Sequence, residues 1–432
     1  MRIRSAWRAA LAAGAALVML SACAGAGGST DTSGGGGRTL EIWHAYAGQK
    51  DKVEFIEYAL DTFKKAHPDI KVKEVSAEQS SYKTKLQTAM ASGNPPDVFY
   101  TLPGGYLKAF VDSGQVLGLD DELAKQGWRD SFLESSLPSV TFGGSTYAVP
   151  IDIDAALVWY NKALFQAKGW QVPTTWPEFL DLAEKIKSAG VVPVALGNKD
   201  SWPATFWFQY AEMRMHGSGV MSGFGAGDKN ATFGPEAKDA AGTLQTLAQK
   251  GYLPKGANGM SDAEANILFL NGKAAMVLNG TWQIGMSAEA PAGFELGYFP
   301  FPTFAAGKGN QSDVLAGVAA SFAVSKKAKD KEAALAFLRH ITSPEVMTKY
   351  VQIRKTMVAR KGATTPEAAG PLLAGVVQDV IGKADTLDPF YDTAMAPKTT
   401  ETYYSTLQGL IDGSITPAAA SEAIENAAKA GK

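Results

Sequence analysis

The chain has 432 residues, 46% hydrophobic and 19% charged, with a formal net charge of −2, nine Trp, four His and one Cys. At roughly 150 residues per domain this length predicts two or three domains, and the ordinary apolar fraction excludes wholesale disorder. Thinly spread Lys and Arg exclude a basic nucleic-acid surface, and a single Cys excludes an intramolecular disulfide, an iron–sulfur cluster and a Cys-based zinc site.

The first residues set Arg2, Arg4 and Arg8 ahead of an apolar run from Ala9 to Leu20 that ends in Leu20-Ser21-Ala22-Cys23. This layout predicts an export signal over residues 1–22, because the run is too short to cross a ~30 Å hydrocarbon core. Leu20-Ser21-Ala22-Cys23 resembles a bacterial lipobox, in which Cys23 is acylated and becomes the first residue of the exported chain. Residues 23–38, rich in Gly, Ser and Thr, predict a flexible tether with a reach of about 20 Å. Loss of residues 1–22 takes the net charge from −2 to −5. The expected location is the extracytoplasmic face of the cell membrane, held there by lipid.

From Thr39 onward strands alternate with helices. Thr39 to Trp43 predicts a strand, and Val53, Ile56, Ala59, Leu60 and Phe63 fall at helical spacing. His67-Pro68 ends that helix, since a residue before proline is pushed out of the α region. Ile70 to Val75 predicts a strand, Tyr82 to Ser92 a helix capped by Gly93, and Asp97 to Tyr100 a buried strand. Thr175-Trp176-Pro177-Glu178 and Ser261-Asp262-Ala263-Glu264 are capping boxes. Their helices end at Gly190 and Gly272 and feed strands at Val191 to Leu196 and Lys273 to Leu278. Asp330 to His340, Ser343 to Gln352 and Pro417 to Ala428 predict helices in a region where strands become scarce. The pattern predicts an α/β fold with central, mostly parallel sheets flanked by helices.

Ligands of open α/β sheets bind beyond the carboxyl ends of strands. The segments found there are His44-Ala45-Tyr46, Thr101-Leu102-Pro103, Gly197-Asn198-Lys199-Asp200-Ser201-Trp202 and Asn279-Gly280-Thr281-Trp282. They combine aromatic rings with amides, carboxylates and hydroxyls. A pyranose needs that combination, because its C–H face packs on a ring while its hydroxyl rim both donates and accepts. Most of the nine Trp are expected in the core, but Trp202 and Trp282 lie in Gly or Pro turns just past strand ends.

Ala275-Met276-Val277-Leu278-Asn279-Gly280-Thr281-Trp282 resembles the Asn-Gly-x-Trp segment of the maltose-binding-protein-like family, the extracellular solute-binding proteins of carbohydrate ABC importers. Further matches follow in order: Ile42-Trp43-His44, Ala91 to Val98, Tyr147-Ala148-Val149-Pro150, Trp159-Tyr160-Asn161-Lys162, Pro300 to Phe304, Phe322 to Lys326 and Ala334 to Ser343. The likeness covers nearly all of residues 39–432. It implies a two-lobed periplasmic-binding-protein-like fold of type II, with three crossings near Pro150 to Asp154, Pro302 to Asp313 and Arg360 to Pro366. One lobe would hold residues 39–150 and 311–362, the other 151–310 and 363–432. A sugar in the cleft would draw the lobes closed and be delivered to a membrane permease by a monomer, with no catalytic residue, cofactor or metal.

By residue-level analogy, the ligand-binding candidates in the first lobe are His44, Ala45, Tyr46, Tyr82 and Thr101, with Asp152 and Asp154 at the first crossing. Those in the second are Asn198, Asp200, Trp202, Asn279, Thr281 and Trp282, with Gly317 allowing close backbone approach and Tyr391 offering a further ring. Asp97 is expected to order its loop. The segment Gly197 to Tyr210 resembles receptors for di- and oligosaccharides such as xylo-oligosaccharides or chitobiose. Two other classes remain open on the same scaffold. A secreted glycan-active enzyme needs two carboxylates some 5 to 9.5 Å apart, which no local motif marks. A metal-binding receptor would need clustered ligands, whereas His44, His67, His216 and His340 are scattered, and Tyr403-Tyr404 suits a helix face better than a metal.

Overall fold

A computed structural model describes residues 38–220, 232–234, 237–288 and 290–430. The expected export signal, Cys23 and all of the tether except Arg38 lie outside the described residues. Arg38 opens the first strand, and its guanidinium donates to Asp330 at 2.6 Å.

The elements that carry the argument are β1 (Arg38–His44), α1 (Lys50–Ala66), β2 (Ile70–Ser76), α2 (Gln79–Ala91), β3 (Val98–Thr101), β4 (Ala148–Asn161), α3 (Trp176–Ser188), β5 (Val192–Ala195) and α4 (Pro203–Met215). They continue with α5 (Ala237–Gln249), α6 (Asp262–Leu270), β6 (Ala274–Gly280), β7 (Leu296–Phe299), β8 (Val314–Val324), α7 (Lys331–Ile341), α8 (Pro344–Arg354) and β9 (Met357–Val358). Last come α9 (Pro366–Asp379), β10 (Leu387–Asp388), α10 (Pro397–Asp412) and α11 (Pro417–Ala430). Local chemistry sets the ends. Thr175 accepts from the Glu178 N–H while the Glu178 carboxylate accepts from the Thr175 N–H, and Ser261 with Glu264 repeats this at α6. On α1 the stripe Phe55, Ile56, Ala59, Leu60 and Phe63 is buried, as its helical spacing requires.

One sheet runs β2-β1-β3-β8-β4-β6-β5. Its wings are parallel, β1 with β2 and β3, and β5 with β6. The expectation of mostly parallel sheets is corrected at the centre. There β8 runs antiparallel to β3 and β4, and β4 antiparallel to β6 and β7. These two long strands are shared between two cores. Ile151 of β4 and Phe322 of β8 pack with Phe55, Phe99 and Tyr350, whereas Val158 of β4 and Leu315 of β8 pack with Phe179, Trp207 and Leu407. The chain therefore passes between cores at about 152–155 in β4 and, past the expected Pro302 to Asp313 stretch, at about 317–319 in β8. Ala363, Ala368 and Leu373 join the first core, while Val376 and Val380 join a small third core behind β4 and β6. Within the first group, ahead of Leu373, α9 kinks at Gly370, with φ +78°, and Pro371.

Candidate functional site

The two cores leave a cleft of about 620 Å³ between them, lined by segments that follow strand ends on both sides. This volume lies in the range, roughly 300–1,000 Å³, that encloses small organic ligands.

The first wall is polar and tied down by ions. Asp152 on β4 accepts from Arg354 at 3.2 Å and from the Tyr350 hydroxyl, and Arg354 also donates to Asp51 at 2.9 Å. Asp152 and Arg354 are buried, so their pairing offsets a desolvation cost that either would bear alone. Two residues along, Asp154 accepts from the hydroxyls of Thr281, at 2.6 Å, and Thr356. Burial, then the charge of Asp152, push its carboxyl well above the usual carboxylate range, while Arg354 and the two hydroxyls pull the other way. Lys52, at the start of α1, stands 5.8 Å from the Tyr46 ring centroid and is pushed down to about 8, first by burial and then by Arg354. Tyr46 is wedged edge-on against Tyr100 and Phe322. Its hydroxyl and Asp152 Oδ1 are buried, in residues that line the cleft, and have no hydrogen-bond partner among the described residues.

The second wall is aromatic. Trp202 and Trp282 meet edge to face at 5.7 Å, and Phe206 lies 5.3 Å from Phe390. Gly280 makes the Trp282 geometry possible, because a Cβ there would sit 2.1 Å from the indole ring. Behind the rings, Asp200 accepts from the Asp262 N–H at 2.9 Å. The buried Asp262 carboxyl is pushed up to about 7 by desolvation and then by Asp200, partly offset by Lys52 from the opposite wall.

The structure brings Ala45, Tyr46, Asp152, Asp154, Asp200, Trp202 and Trp282 together around the cleft. The other expected contacts do not line it. His44 continues the core-facing alternation of Leu40 and Ile42, and its Nε2 is 2.9 Å from Glu74. Tyr82 donates to the Tyr100 carbonyl at 2.7 Å, and Thr101 to the Leu102 carbonyl at 2.9 Å. Asn198 accepts from the Ala204 N–H and donates to Asn258, ordering the turn that presents Trp202. Asn279 donates to Gln283 at 3.0 Å, and Thr281 stands behind Asp154. Gly317 pairs opposite Asp154 inside β8, and a Cβ there would meet Pro389 at only 3.6 Å, an ordinary contact. Tyr391 is buried and donates to Glu212, so the ring that this segment offers the cleft is Phe390. Asp97 accepts from the backbone N–H groups of Glu41 and Lys329, ordering its loop as expected.

Sequence reasoning missed Lys52, Tyr100, Phe206, Asp262 and Arg354. Phe206 had a usable signal, being one helical turn past Trp202. Arg354 had none, because its partners Asp51 and Asp152 are 303 and 202 residues away. Among the described residues no group of three or more His, Cys, Asp or Glu is placed to hold a metal ion, and no helix is long and apolar enough to cross a membrane.

Two α/β lobes joined by shared strands, with an aromatic wall facing a hydrogen-bonding wall, define a receptor for a small polar ligand rather than a surface for a macromolecule. Residues 46–348 match the bacterial extracellular solute-binding proteins, and the chain belongs to that family. It is 28% identical over 325 residues to the multiple sugar-binding protein of Streptococcus mutans, covering 73% of this chain and 75% of that one. The fold is similar to a chitin oligosaccharide binding protein, with a TM-score of 0.84 and 25% identity, covering 91% of this chain and 98% of the other. It is also similar to a protein solved in a study of xylan utilization by Caldanaerobius polysaccharolyticus, with a TM-score of 0.82 and 28% identity, covering 90% and 99% of the two chains.

Proposed function

We propose that this chain is the receptor of an ABC sugar importer, holding a neutral di- or oligosaccharide in the cleft and delivering it to permease subunits in the membrane. One observation carries the reading: Trp202, Trp282, Phe206 and Phe390 line the same cleft as Tyr46 and Asp152, whose hydroxyl and Oδ1 have no hydrogen-bond partner among the described residues. The rings suit the C–H faces of pyranoses, and the two oxygens suit their hydroxyls. Acidic side chains outnumber basic ones around the cleft, eight to four, which disfavours an anion and supplies acceptors for the hydroxyls of a neutral ligand. Asp152 and Asp154 are each held by fixed donors, so they are read as acceptors, and the chain performs no chemistry on its sugar.

The lobes divide where β4, β8 and the kinked α9 pass between cores, so residues 363–373 are read with the first lobe and residues 311–316 with the second, each opposite to the lobe expected for it. The sugar touches both lobes, binds their closed arrangement better and shifts the population toward it. The chain acts as a monomer, anchored by lipid on Cys23 and carried on a short tether at the extracytoplasmic face.

Thermal unfolding with xylo-, chito- and malto-oligosaccharides, and separately with divalent metal ions, tests this. A sugar at one hundred times its dissociation constant stabilises by about 2.7 kcal/mol and raises the midpoint by several degrees. A shift with metals alone, or sugars found cleaved after incubation, would overturn the reading.

A further inference from the structure

Away from the shared strands, the lobes also come together on the border of the cleft where glycine backbone of one lobe lies on backbone of the other, and two such places stand out. At the first, Leu102 and Thr393 still line the cleft, and just beyond them Gly104 and Gly105 lie directly on residues 393–395. A Cβ on Gly105 would stand 2.2 Å from the Met395 carbonyl oxygen, and one on Gly104 2.6 Å from that of Thr393. Lys83 flanks this seam, 5.7 Å from the Tyr404 ring centroid across the lobes. At the second, a Cβ on Gly285 would stand 2.8 Å from the Arg354 carbonyl oxygen. Neither Gly105 nor Gly285 has a positive φ, so their backbone would accept alanine. What excludes a side chain at each is the other lobe.

Building on the sugar-receptor reading, we infer that these glycine seams are closure stops that bound the length of the ligand: the lobes come fully together only around a chain short enough to end between them. A longer chain would lie across a seam and hold it open, losing the contacts that closure adds on the opposite lobe. The receptor therefore selects short oligosaccharides over the polymers from which they are cut.

Calorimetric titration of the full chain and of Gly105→Ala with xylo-, chito- and malto-oligosaccharides from two to six units tests this. In the best-bound series, wild-type affinity is expected to fall about tenfold or more from the trisaccharide to the hexasaccharide. Gly105→Ala is expected to weaken the trisaccharide about tenfold and flatten the dependence on length, with an unchanged melting midpoint without sugar. Gly285→Ala should repeat that pattern. Equal affinity of the wild type for tri- and hexasaccharide overturns the inference, as does a Gly105→Ala profile matching the wild type. A large fall in the sugar-free midpoint of Gly105→Ala also overturns it, by showing the seam to be permanent packing. If no sugar of any series binds the wild type, the sugar-receptor reading itself fails, and this inference falls with it.

Discussion

The two walls of the cleft solve the same problem with different physics. The first wall holds its polar groups by ion pairs and hydrogen bonds that converge on Arg354 from α1, β4 and α8. The second holds four rings by packing, helped by Gly280 and by the turn that Asn198 orders. Directional bonds fix where a hydroxyl must sit, whereas rings offer area and tolerate a choice of sugar. Specificity should therefore reside mainly in the first wall and affinity in the second.

Removing the hub should have the largest effect. Arg354→Met leaves buried Asp152 without its cation, a change that typically costs about 3–5 kcal/mol, and denaturant unfolding without ligand should register it along with loss of sugar binding. Next comes pH. The Asp262 carboxyl ionises near 7 in the folded chain but near 4 when unfolded, so the folded state binds more protons between these values. Stability should fall as pH rises from about 4 to about 7 and then level off. Asp262→Asn should remove its share of that slope, a few kcal/mol in total, as read from melts across the same range, while Asp154, raised by burial and then by Asp152, keeps a remainder of the same sign.

Trp282→Ala breaks the second wall. It should weaken sugar binding by about 2 kcal/mol while lowering the sugar-free stability less, because the ring is only half-buried and faces the cleft. A larger loss of sugar-free stability would reassign the ring to the core. The smallest effect is expected for Tyr46→Phe. Its hydroxyl has no partner among the described residues, so stability without sugar should hold while affinity falls by about 1 kcal/mol. If both walls gave the same ratio of affinity loss to stability loss, the distinction between them would be wrong.

The parallel wings were legible because each strand alternates or ends in a clear turn, and each helix carries a cap or an apolar stripe. The long strands β4 and β8 were not. Buried on both faces along most of their length, they lack the apolar–polar alternation of a half-buried strand, and Pro150 to Asp154 read only as a crossing between lobes. At the site, position past a strand end found Trp202, Trp282 and Tyr46, since that rule needs only local pattern. The same rule misplaced His44 and Asn279, because it does not say whether a side chain turns toward the cleft or back into the protein. Lys52 and Arg354 lie at helix ends brought to the cleft by tertiary folding, which no local pattern encodes.

On the sugar-receptor reading, one cleft holds one sugar and leaves it unchanged. Calorimetric titration of the purified chain with xylotriose, chitotriose and maltotriose, followed by chromatography of the recovered sugar, tests it most directly. Saturable binding of at least one of these at one sugar per chain is expected, with the sugar recovered intact. No binding of any of the three, or recovery of shorter products, would contradict it.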